Sequence, residues 1–382
     1  MSVRLATREI GSLAKPSWRV KAFAGRPLLD SDLEEARRWG SRLAVPGYKA
    51  LAELLAAGGL EARLAEVDDW AARYALALLE RTGLDVVYDG EQRRSEMYDH
   101  VARHARGFEE RGLARSFDNK YYSKAAVVTE PGLDGPYDLD EFRFAAAHAA
   151  RPLKVPLTGP YTMVDWSYDE HYGSAGDLGR GRGGRADARR RFVHEVAERV
   201  IRPNALALAQ QGAAWLQIDE PAAATRPDEA GLVVLGFNES LRDVPAERKS
   251  LHVCFSEYSS LWPAVLGLEG CLELQLEFAN RDSRDLGTSD EARPGYADVL
   301  PLFRTEGSPD VGLGVLDIHS DFVEPAELVR DRIVYAVRVL DDPGRIRVNP
   351  DCGLRTRTWD VVYEKLSRMV EGTRLAETVL DG

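Results

Sequence analysis

The chain has 382 residues, 44% of them hydrophobic and 29% charged, with a formal net charge of −12. That is enough apolar material for a large core, and the acidic balance argues against a broad nucleic-acid or anionic-membrane surface. No stretch approaches the ~18 uninterrupted apolar residues of a membrane span, and no charged leader precedes an apolar run, so a cytoplasmic protein is expected. Cys254, Cys271 and Cys352 cannot all pair and lack the density of a secreted disulfide framework, so reduced thiols are expected.

In chain order, VRLATREIGS reads as a first strand ending in a Gly-Ser turn. Helical spacing follows from Asp30 to Trp39, through YKALAELLAAGG and through LAEVDDWAARYALALLERTG. LDVVYDGE, Leu84 to Glu91, is a second strand. Residues from about His100 to Leu139 mix aromatics, charges and Pro-Gly turns and read as an inserted hairpin or loop excursion. KVPLTGP is a third strand. The run DLGRGRGGRADARRR, holding Arg180, Arg182, Arg185, Arg189, Arg190 and Arg191, reads as a solvated basic loop, with a long amphipathic helix from Arg185 to Gln211. AAWLQIDEP, SLHVCFSE, LELQLEFA, VGLGVLDIHS and RIRVNPDCG supply strands four to eight, and TWDVVYEKLSRMVEG follows as a helix.

Eight strand signals alternating with helices, and no early Gly-rich dinucleotide fingerprint, predict an α/β protein of the (β/α)₈ TIM-barrel class, with the hairpin inserted after the second strand and one domain over 1–382. In such a barrel the C-terminal strand ends share one mouth, which would gather Ser12, Glu91, Trp166, Asp219, His252, Cys254, Glu277, His319 and Cys352. His252 and Cys254, two apart on a strand, project to the same side. Glu277 ends a strand whose alternation by itself predicts only a half-buried ladder with a polar face, and Cys352 sits on a tight turn. Two thiolates, an imidazole and a carboxylate suit a tetrahedral Zn²⁺ that could turn a bound thiol into a nucleophile. Cys271, at the start of its strand, belongs to the opposite rim as a small buried or free thiol.

Together EIGSLAKP, VYDGEQRR, LTGPYTMVDWS, QIDEPA, HVCFSE, LEFANRD, VLDIHS and VNPDCGLRTR resemble the catalytic half of the cobalamin-independent methionine synthase family, in its short core form. The resemblance implies a zinc-dependent methyltransferase acting on the thiol of homocysteine. It gives His252, Cys254, Glu277 and Cys352 as zinc ligands and His319 as the general acid. The backbone around Ile10 to Ser12 would hold the amino acid's carboxylate, Glu91 and Asp219 its ammonium, and Trp166 would pack against the methyl donor. The chain departs from the long enzymes in lacking room for their N-terminal half, and in running Ala223, Ala224, Thr225 after QIDEPA where they carry an acidic folate contact. The donor is therefore open between a methylated folate and a methyl-corrinoid, with a methyl-carrier or accessory protein as a further partner. The related epoxyalkane:coenzyme M transferases, with another thiol and electrophile, are the alternative.

Overall fold

The computed structural model describes residues 2–115, 121–173, 181–255 and 257–382. Its strands are β1 (Ala105–Arg115), β2 (Tyr121–Leu133), β3 (Lys154–Thr158), β4 (Tyr168–Asp169), β5 (Trp215–Asp219), β6 (Arg248–Val253), β7 (Cys271–Leu276), β8 (Asp310–Gly314) and β9 (Ile346–Asn349). A parallel sheet runs in the order β3-β5-β6-β7-β8-β9.

Two short segments join its edges into a ring. Thr7 bridges Val348 in β9, Arg8 bridges Val86, and Val87 bridges Leu153 beside β3, all in parallel. The bonds Arg8 N–H to Val348 O (3.0 Å), Val86 N–H to Thr7 O (3.1 Å) and Val87 N–H to Pro152 O (3.0 Å) make the closure continuous. The eight expected strand positions are all present, the first two as bridges rather than full ladders.

β3 and β5 are buried along their whole length, as strands covered on both faces must be. The helices pack their apolar stripes outside. Leu64–Arg81 buries Val67, Trp70, Ala71, Tyr74, Ala75, Leu78 and Leu79 at helical spacing, and Ala326–Leu340 packs along Trp359–Asp381.

The polar face expected on the Glu277 strand points into the barrel rather than toward solvent. Glu273 and Gln275 of β7 are fully buried there, and Glu273 forms an ion pair with the equally buried Arg8. A closed barrel has no solvated face, so polar alternation on its strands becomes an interior network.

The inserted hairpin is confirmed: β1 pairs antiparallel with β2, and β4 adds to β2 in parallel. The solvated Arg-rich loop is not. Arg180 lies outside the described residues, but the chain is helical from Gly181 to Val196, passes through a π turn at Ala197–Ile201 and continues as Arg202–Gln210. Ala188, Phe192, Val193 and Val196 bury one side of it, and that packing outweighs the low helix propensity of the leading glycines. Arg189 is neutralised by Asp165 and Glu229, each at 2.6 Å. No helix among the described residues is long and apolar enough to cross a membrane.

Candidate active site at the barrel mouth

His252 lies near the end of β6 and is 3% exposed; Cys254 follows that strand, and Cys352 follows β9. One ligand atom from each falls within 4.8 Å of the others. The imidazole is oriented by its Nδ1, 3.2 Å from the Gln275 carbonyl, which leaves Nε2 facing Cys352 Sγ at 3.4 Å. Such support from the opposite ring nitrogen is what fixes a metal-ligating histidine. A hydrogen bond with Cys254, together with burial, holds the Cys352 thiol well above the usual range.

Glu277, immediately after β7, lies outside the 4.8 Å group but borders it. Its Oε2 accepts from the backbone N–H of Phe255 (3.1 Å), the residue after Cys254, and from Asn280 (2.9 Å). Its Oε1 is buried with no hydrogen-bond partner among the described residues, a costly state for a carboxylate oxygen unless a cation takes it. The loop that carries Glu277 onward is held by Asp351, whose carboxylate accepts from the N–H groups of Phe278 (2.9 Å), Ala279 (3.0 Å) and Asn280 (2.7 Å).

A cavity of about 60 Å³ runs from this group across the mouth. His252, Cys254 and Cys352 line one part, and Ile10, Ser12, Glu91 and Asp219 another. Asp219 ends β5, and burial pushes its carboxyl up to about 6. Glu91 has a φ of +56°, and its N–H is held by Asp89 at 2.8 Å. Gly11 lets the Glu91 carboxylate approach, because a Cβ there would stand 2.8 Å from Oε1. The Ile10 carbonyl is fixed from below by Lys154 Nζ and Gln217 Nε2, both at 2.8 Å, and Gln217 also donates to Asp219 at 2.6 Å.

His319 is half-exposed, with Nε2 3.8 Å from Glu277 Oε1 and its ring edge-on to Phe255. The Glu277 carboxylate raises its pKa above the ordinary imidazole value. Asp317 accepts from the His319 backbone N–H at 2.8 Å. Trp166 does not line the cavity; it packs with Tyr98 and Tyr122, centroids 6.2 and 5.7 Å away. Cys271 sits at the start of β7 as a free thiol, raised by burial and bonded to the Glu273 carbonyl at 3.2 Å.

Motif reading missed Met97 and Arg355, which also line the cavity, and the supporting roles of Asp351, Lys154 and Gln217. A signal existed for Lys154: a lysine opening an otherwise apolar strand, KVPLT, is costly unless it meets interior acceptors. Asp351 stood beside Cys352 in NPDC, but its three N–H partners lie more than 70 residues away.

A closed parallel α/β barrel with a cluster of one imidazole and two thiols at its mouth defines the class of protein. Residues 64–375 match the model of the cobalamin-independent synthase catalytic domain. The methionine synthase of Thermoplasma acidophilum is 36% identical over 374 residues, covering 96% of each chain. That of Pyrococcus furiosus is 32% identical over 97% of this chain and 92% of its own. In fold, the chain is similar to a B12-independent methionine synthase from Shewanella sp. W3-18-1, with a TM-score of 0.71 at 22% identity and 98% coverage of both chains. The chain belongs to the cobalamin-independent methionine synthase family, in its short form.

Proposed function

We propose that the chain, as a single catalytic barrel over residues 1–382, moves a methyl group onto the thiol of L-homocysteine to give L-methionine. The observation that carries this reading is one cavity shared by two thiols, an imidazole and two carboxylates. The first set suits zinc and a sulfur nucleophile, the second an amino-acid ammonium.

His252, Cys254, Cys352 and Glu277 would hold the zinc, the last through Oε1. Bound zinc would supply the acidity that makes a thiol a thiolate at neutral pH. Glu91 and Asp219 accept from the substrate ammonium, whose charge favours the ionised form of Asp219. The Gly11 and Ser12 N–H groups face the carboxylate. His319, whose pKa the Glu277 carboxylate raises, donates a proton to the leaving group of the donor. Trp166, backed by Tyr98 and Tyr122, offers an aromatic platform for a flat donor ring, as in a methylated folate; a methyl-corrinoid protein is the other donor. A sulfonate thiol would leave the carboxylates of Glu91 and Asp219 without a cationic partner, which weighs against a coenzyme M transferase.

The test incubates zinc-loaded protein with L-homocysteine and a panel of methyl donors, folates with one and several glutamates among them, and follows methionine by mass spectrometry. Methionine from one donor supports the reading and names the donor. A protein that binds no homocysteine and forms no methionine with any donor ends it.

A further inference from the structure

We infer that Arg355 selects thiols that carry an α-carboxylate, its guanidinium pairing with that group above the backbone N–H groups of Gly11 and Ser12. This rests on the functional reading above and adds a specificity-determining contact to it.

Arg355 is exposed, yet it lines the same cavity as Glu91 and Asp219. Among the described residues it makes no hydrogen bond and no salt bridge, whereas Arg357 two positions on is held by Asp321 at 2.7 Å. The charges nearest in influence are already committed. Glu96 spends Oε2 on the N–H groups of Tyr98 and Asp99, at 3.0 and 3.1 Å, and Lys15 donates to the Glu91 carbonyl at 3.0 Å.

The turn that carries Arg355 is seated on the amino-acid side. Gly353 packs so closely on Ser12 that a Cβ would stand 2.9 Å from its carbonyl oxygen and hydroxyl, and the buried Leu354 anchors the next position. The N–H groups of Gly11 and Ser12 have no backbone partner among the described residues. Free N–H groups beside an unpaired guanidinium make an anion site. Substrate charge requires one, because a cavity with two carboxylates repels a third unless a cation meets it. The mouth is thus bipolar: Glu91 and Asp219 for the ammonium, Arg355 for the carboxylate.

The test compares wild-type and Arg355→Gln zinc-loaded enzyme by calorimetric titration with L-homocysteine and with aminopropanethiol, the same molecule without its carboxylate. Loss of a charge-assisted contact should weaken homocysteine about tenfold to a hundredfold while aminopropanethiol and zinc content stay unchanged. Arg355→Lys should recover part of the preference. Equal weakening of both thiols, or an unchanged homocysteine affinity with a raised KM for the methyl donor, overturns the inference while leaving the functional reading standing. A wild-type enzyme that binds no homocysteine removes both.

Discussion

At the residue scale the site depends on atoms from distant parts of the chain meeting within a few ångströms, and single substitutions separate their roles. Cys352→Ser should lower zinc affinity by more than the roughly 10–100-fold typical of losing an outer partner, read as zinc retained after dialysis against a chelator. His319→Asn should keep zinc and homocysteine binding but slow turnover by about 10²–10⁴-fold, the usual contribution of a positioned acid. If zinc falls with it, the ring serves the metal group instead. Asp351→Ala would orphan three N–H groups behind Glu277, two of them buried and that of Asn280 partly so. Orphaned donors cost about 1–3 kcal/mol each, so a destabilisation on the order of 3 kcal/mol is expected in denaturant titration, together with weaker zinc retention. The His252, Cys254 and Cys352 cluster was legible in HVCFSE and NPDCG because soft-metal chemistry restricts candidate ligands to few residue types. Asp351 and Arg355 were not, since an acid that accepts N–H groups and an arginine that faces a cavity look in sequence like any others.

At the element scale, the QIDEPA segment shows how one strand end organises its neighbour. Glu220, one residue past β5, accepts from the N–H groups of Tyr161 (2.9 Å) and Thr162 (2.7 Å) and from the Thr162 hydroxyl (2.6 Å), closing the first turn of the helix Pro160–Trp166. That helix ends in Trp166. Glu220→Ala should therefore destabilise by about 2 kcal/mol, a typical upper figure for a lost cap, and disturb the aromatic group of Trp166, Tyr98 and Tyr122, seen as a shift in tryptophan emission. An unchanged emission would show that the helix end is held by packing alone. The long helices were readable because an apolar stripe at 3.6-residue spacing is hard to produce otherwise. The helix start at Gly181 was hidden by glycines whose low propensity is overridden by the buried Ala188, Phe192 and Val193. The direction of the β7 polar face was hidden for a related reason: alternation tells which residues share a side, and only ring closure tells whether that side is wet.

At the scale of the whole molecule, closure traps carboxylic acids in the interior, and their protons link stability to pH. Glu9 is 1% exposed, neither of its oxygens has a hydrogen-bond partner among the described residues, and Lys154 stands 3.7 Å away; burial pushes its carboxyl up to about 7. Burial raises Glu220 to about 7 as well, against the pull of its hydrogen bonds. A group whose folded pKa lies above its unfolded value keeps a proton that the unfolded chain has released. The native state therefore binds more protons across the interval from about 4.5 to about 7, and stability falls as pH rises through it. For Glu9 a shift of that size corresponds to something on the order of 3 kcal/mol. Denaturant midpoints measured between pH 5 and pH 8 should decline with rising pH. Glu9→Gln, which keeps the shape and removes the titration, should flatten the decline and raise the midpoint at the alkaline end. A variant whose midpoints follow the wild-type slope would mean that Lys154 keeps Glu9 ionised throughout, so that the interior holds a formed ion pair rather than a shared proton.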